Sequence, residues 1–231
     1  MCCVTLCFGL VFGPARAEEG SVSALIFGSL DAGASSFVTG GAKIAFDGRD
    51  RDGFAILASG GGGARVERGP SIRGISTSQT RLTALGAVLA GYQWFDEWGV
   101  VAAFAGPEAS IEVEQSVLGT LVVPVRYGLR LHGEVWARPT EKTLLTATAI
   151  LGSTRQSAWI RLAWGYDVFG AYLGPEAALY VDGTGYSKLG IGVHATDFRI
   201  GDVSFRASLG YQTETDGGGS PYVTLGVWQP W

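Results

Sequence analysis

Two four-residue copies, Gly106-Pro107-Glu108-Ala109 and Gly174-Pro175-Glu176-Ala177, are the first places where residue type and spacing suggest chemistry. Each sets a carboxylate directly after a proline, and Gly91-Tyr92 and Gly165-Tyr166 stand upstream of the two copies. Two carboxylates brought together could share protons in general acid-base work. The same pattern reads more simply as a duplicated hairpin. Proline cannot donate to a sheet ladder, so each copy would mark a bulge or a kink. A wider set of polar and ring-bearing side chains accompanies them: Arg126, Arg130, His132, Glu134, Trp136, Trp159, Arg161, Tyr172, His194 and Arg206. Both signs of charge are present, and a buried charge persists only when paired or hydrated. The set therefore reads either as an ion-pair network that fixes strand register or as the wall of a polar conduit for a small hydrophilic ligand. In the second case Trp136, Trp159 and Tyr172 could stack on sugar rings.

Catalytic motifs do not appear. There is no HExxH, no GxSxG and no P-loop. Gly60-Gly61-Gly62-Gly63 precedes no helical pattern whose dipole could hold a phosphate. Two histidines on separate segments are too few to argue a metal site. A lipid-modifying enzyme would need a Ser-His pair near a membrane edge, whereas His132 and His194 share the polar parity of their segments. No catalytic residue, metal or cofactor is assigned.

The elements that carry these residues alternate with period two. Ala158, Ile160, Leu162, Trp164 and Tyr166 lie on one parity, and Arg155, Ser157, Trp159, Arg161 and Gly165 on the other. Val203, Phe205, Ala207, Leu209 and Tyr211 likewise oppose Ser204, Arg206, Ser208, Gly210 and Gln212. This is strand periodicity. It predicts about twelve strands, near 22–29, 35–46, 51–63, 80–94, 98–110, 125–138, 142–152, 155–166, 168–181, 185–197, 202–212 and 220–231. Each is about the ten residues that a tilted transmembrane strand needs. Every second connection is short, while 64–79 and 111–124 are read as the longest loops, which is the asymmetry of an outer-membrane barrel. Tyr92, Trp94, Trp98, Trp164, Tyr166, Tyr211, Trp228 and Trp231 are read as an aromatic girdle beside the short turns.

Composition agrees with this reading. The 231 residues are 47% hydrophobic and 16% charged, with 36 glycines, a net charge of −4 and a mean hydropathy of +0.23. Such a chain is too apolar and too acidic for a disordered tail or a nucleic-acid binder. No apolar run is long enough for a transmembrane helix. Residues 1–17, an apolar stretch ending in Ala15-Arg16-Ala17, are read as a secretory signal peptide. It lacks a basic end, which is read as a true start lying upstream. It also takes all three cysteines, leaving no disulfides in the rest. The expectation is one domain over 18–231: an all-β, antiparallel, up-and-down barrel of about twelve strands in the outer membrane, with the lipid bilayer as partner. A soluble sandwich or lipocalin-like barrel would share the alternation.

From about Val22 onward the chain resembles the BcsS family, cellulose biosynthesis protein S of alphaproteobacteria. The resemblance rests on Arg51-Asp52-Gly53-Phe54, Gly91-Tyr92-Gln93-Trp94, Glu134-Val135-Trp136 with Pro139-Thr140, Gly174-Pro175-Glu176, and Gly192-Val193-His194 before Phe198-Arg199. It implies an exported, non-enzymatic outer-membrane accessory of cellulose biosynthesis that helps export, anchor or organise the glucan. Its partners would be cellulose or another β-glucan and the synthase or secretion components. The alternatives are a general small porin and an outer-membrane lipid-modifying enzyme. The oligomeric state cannot be read from the sequence.

Overall fold

A computed structural model describes residues 22–231 apart from 49, 70, 76, 216 and 217. The signal peptide expected over residues 1–17 lies outside the described residues. Twelve strands follow one another: β1 Ser23–Ala32, β2 Ser35–Ala45, β3 Gly53–Arg68, β4 Ser78–Asp96, β5 Gly99–Ser116, β6 Gly119–Thr140, β7 Thr143–Gly152, β8 Ser157–Val168, β9 Ala171–Val181, β10 Ser187–Ile200, β11 Val203–Glu214 and β12 Gly218–Pro230. Each pairs antiparallel with its neighbours in sequence. β1 and β12 close the ring from Leu25 opposite Pro230 to Ala32 opposite Val223. Where all twelve strands pair, closure leaves no open sheet edge, which is what allows strands to cross a bilayer.

Alternation decides what each face meets. Ile160, Leu162, Ile191, Leu209 and Leu225 on the outer parity are exposed, as lipid-facing side chains must be. The inner parity carries the buried residues. Leu57, Leu89, Ala102 and Phe104 pack into an apolar cluster on the β2–β5 wall, with Phe27 against it. Among the described residues no helix is long and apolar enough to cross a membrane; the strands do so.

The wall is uneven. β3 to β6 run 16 to 22 residues, while β7 to β12 run 10 to 14. Of the stretches expected as long loops, 111–124 is strand on both sides of a tight turn, while 64–79 is strand only at its ends. β3 continues to Arg68, β5 to Ser116, and β6 starts at Gly119. A register shift between Ser110 and Glu112 puts one extra residue on β6 near Pro124 and resets its parity. β6 gains its far-side partner only at Arg130, opposite Gly152 of β7. The segment outward of it stands proud by roughly 30 Å along the strand, at about 3.3 Å per residue.

The Gly-Pro-Glu-Ala copies form no bulge. β5 pairs Ala109 with Gly86 and Glu108 with Ala87, then resumes in unchanged register at Ala105 with Ala90. β9 repeats this, pairing Glu176 with Ala163 and resuming at Leu173 with Tyr166. The prolines leave matching gaps in the ladder on the side where they lack an N–H. A genuine bulge occurs at Asp197, whose φ is 64°, in the register shift between Thr196 and Phe198. It turns Phe198 outward to stack on Phe205, with ring centroids 5.6 Å apart.

The aromatic girdle needs two corrections. Phe54 meets Tyr92 edge to face and Tyr92 tilts against Trp94 at the short-turn end, and Trp98, Trp164 and Tyr166 are exposed there. Tyr211, however, sits at the far end of β11, opposite Pro221 near the longer loops. Trp228 shares the inward parity of the buried Tyr222 and Thr224.

Candidate functional site in the barrel lumen

The interior is crossed by side chains at successive heights. At the short-turn end Trp136 of β6 meets Trp228 of β12 with ring centroids 5.7 Å apart, edge to face. These strands lie on opposite sides of the ring, so the two indoles bridge the lumen. Beside them, at the rim, Tyr172 lies under the Arg138 guanidinium, 5.9 Å from the ring centroid, and Arg138 reaches Asp197 at 3.3 Å.

Above this layer Lys43 of β2 crosses to Glu134 of β6 at 2.9 Å. His132 Nε2 lies 3.1 Å from the other Glu134 oxygen, and the Lys43 ammonium sits over the Phe104 ring. On the opposite wall Glu176 gathers the Arg206 guanidinium, the Ser208 hydroxyl at 2.9 Å and the Tyr222 hydroxyl at 2.9 Å. Tyr222 reaches that carboxylate because Gly190, Gly192 and Gly210 clear its path. A Cβ at Gly210 would stand 2.7 Å from the ring. His194 is buried, with one ring nitrogen 2.7 Å from Thr196 Oγ and the other 3.1 Å from the Trp164 carbonyl. Both nitrogens are thus occupied by structural partners.

Glu108 accepts hydrogen bonds from Arg130 Nε at 2.9 Å and from the Thr154 hydroxyl and N–H. Glu108 and Glu176 therefore do not meet as a carboxylate pair; each is held by its own arginine. Arg126 is half-exposed near the outer rim, 3.7 Å from Glu112. Trp159 and Arg161 sit together on the β8 wall, the guanidinium 5.3 Å from the indole centroid.

The outer mouth holds acids and arginines beyond the candidate site residues. Asp182, in the β9–β10 connection, accepts from Arg65 at 2.7 Å across the ring and from Arg155 at 3.1 Å. Arg155 also reaches Glu112 at 2.8 Å, and Arg81 joins Glu67 at 2.7 Å. Burial pushes the Asp182 carboxyl up, but hydrogen bonds from Thr184 and Arg65 and the Arg65 charge outweigh it. The group is held below the usual carboxylate range. Next to this brace a cavity of about 360 Å³ is lined by Glu112, Arg126, Thr154, Arg155, Gln156 and Thr184. Parity could have found Trp228 and Tyr222. Asp182 lies in a connection, where parity has no meaning; Arg155, on the inward parity of its predicted strand, stands just before β8. Among the described residues no group of His, Cys, Asp and Glu could hold a metal ion.

A closed, twelve-stranded antiparallel barrel with an apolar outer belt and a polar, cross-braced interior defines an outer-membrane-type β-barrel. The family model of the cellulose biosynthesis protein BcsS matches residues 25–231, and the chain belongs to that family. No curated protein matches the chain. Among solved structures, the KdgM porin is similar over 89% of this chain and 98% of its own, at 11% identity and a TM-score of 0.46. The translocator domain of the autotransporter NalP from Neisseria meningitidis covers 90% of this chain and 88% of its own, at 14% identity and 0.47. An anion-selective porin from Comamonas acidovorans covers 91% and 99%, at 10% identity and 0.31.

Proposed function

We propose that this protein is a non-enzymatic accessory of bacterial cellulose biosynthesis, exported by a signal peptide to the outer membrane, where it anchors or organises the glucan. Membership of the cellulose biosynthesis family supports the cellulose context. The observation that carries the mode of action is the crossed lumen. The Trp136–Trp228 bridge joins opposite sides of the ring and the Lys43–Glu134 ion pair spans from β2 to β6, four strands away, which favours holding a glucan over passing a chain through. Aromatic rings at the short-turn mouth, Trp136, Trp228 and Tyr172, offer faces on which the sugar rings of a glucan reaching the barrel from the periplasmic side stack. Deleting the gene is expected to lower Congo red or calcofluor staining of colonies; unchanged staining with an intact pellicle would sink the reading. A general porin needs an open aqueous path, and the crossed layers count against it. Lipid modification loses its support in the same way, because His194 spends both nitrogens on Thr196 and the Trp164 carbonyl.

A further inference from the structure

The lumenal arginines are matched with acids except in one place. Arg65, Arg81, Arg130, Arg155 and Arg206 each lie within 3.0 Å of a carboxylate oxygen. Arg161, on the inward parity in the middle of β8, has no carboxylate partner among the described residues. Its Nε is shielded from solvent and hydrogen-bonded to nothing. The acids nearby make no ion pair with Arg161: Glu176 is held by Arg206, and Asp31, bonded to the Thr224 hydroxyl, acts on it only at a distance. Arg206 adds a like charge to the same region.

The side chains beside Arg161 extend this imbalance. Thr148 stands directly across from it on β7, and Trp159 lies two residues along on the same face. Among the described residues neither the Thr148 hydroxyl nor the Trp159 indole N–H makes a hydrogen bond. On the other flank Arg161 faces Ala178 of β9, whose methyl group leaves space. Arg161 remains partly exposed, so lumen water reaches it. The patch thus holds a guanidinium fork, an indole N–H and a hydroxyl, with no acceptor to match them. The Trp159 face steadies the guanidinium from one side, leaving its edge for a bidentate oxyanion.

We propose that Arg161, Thr148 and Trp159 form a lumenal binding site for a small oxyanion of the carboxylate or phosphate class. An unpaired guanidinium in a protein wall is costly, and an oxyanion supplies both the missing charge and the missing acceptors. The site rests on the charge arrangement of the lumen and stands whether or not the protein serves cellulose.

The test uses the barrel folded in detergent, with heat-modifiability on a gel as the check of folding. Titration calorimetry with inorganic phosphate and with acetate should give saturable binding of at least one, and glucose should give none. Arg161→Gln should weaken that binding at least about tenfold, the loss expected for a charge-assisted hydrogen bond. Thr148→Val should weaken it severalfold, and Arg199→Gln, a change at an exposed position, should not alter it. Should Arg161→Gln fail to fold, Arg161→Lys keeps the charge without the fork and should still bind more weakly than the parent. The same anion should raise the unfolding temperature of the unaltered barrel. Absence of saturable binding of both anions, or equal binding by a folded Arg161 variant, overturns the proposal.

Discussion

Glu176 shows how a charge is kept inside this wall: one carboxylate accepts from Arg206, Ser208 and Tyr222 at once. A buried pair is weak evidence for net stability, but breaking it strands the surviving charge. Arg206→Ala should therefore destabilise the barrel by about 3–5 kcal/mol. Arg206→Met combined with Glu176→Leu should cost much less, as read from urea midpoints of the folded gel band. Asp182 at the mouth gives a pH prediction. Its folded pKa lies below its unfolded value, so its stabilisation is present above the ordinary aspartate value of about 4 and lost as pH falls through the folded one. Unfolding midpoints should fall on acidification below about pH 4, and Asp182→Asn should flatten that part of the profile while lowering stability near neutrality. A profile unchanged by the substitution would remove Asp182 from the brace.

At the scale of elements, the two Gly-Pro-Glu-Ala strands share a close approach that explains their glycines. A Cβ at Gly106 would stand 2.9 Å from Leu89 Cα, and one at Gly174 would stand 2.9 Å from Gly165 Cα. Gly174→Ala should therefore force β8 and β9 apart at the ladder gap and cost about 1–3 kcal/mol, measured by the same denaturation. The outer part of β6 has β5 on one side and no strand on the other, so its backbone edge is open. Pro124, the neighbouring register shift and Arg126 blunt that edge. Pro124→Val with Arg126→Val should promote edge-to-edge association, seen as larger species in sedimentation of the detergent-solubilised barrel. Twelve strands were legible because each span keeps one parity across the membrane. The outer end of β6 was not, because the shift near Pro124 breaks its alternation; that of β5 keeps its parity, but Glu112, Glu114, Gln115 and Ser116 give it the polar composition of a loop. Trp228 was misplaced for a different reason. Nearness to the chain end suggested a girdle, although Val223, Leu225 and Val227 on the opposite parity already set it inward.

The whole molecule is a closed ring whose inside is bridged by unrelated interactions at different heights, and this sets what its conductance should be. The indole bridge at the short-turn end, the Lys43–Glu134 pair and the Arg65–Asp182 link at the outer mouth each join distant strands. Which pairs would cross the lumen could not be read from the sequence, since alternation says that a side chain points inward and nothing about the wall it meets. Because the bridges are independent, each is sufficient to narrow the path, and removing one leaves the others in place. The unaltered protein in planar bilayers should therefore give no steady conductance. Trp136→Ala with Trp228→Ala should stay quiet too, because the Lys43–Glu134 layer still crosses. Small, steady current steps should appear only when Lys43→Ala and Glu134→Ala are added to that pair and the Arg65–Asp182 link is removed as well by Arg65→Ala with Asp182→Ala. Conductance from the unaltered barrel would return the porin reading, and conductance from the double indole variant alone would make the two tryptophans the sole barrier.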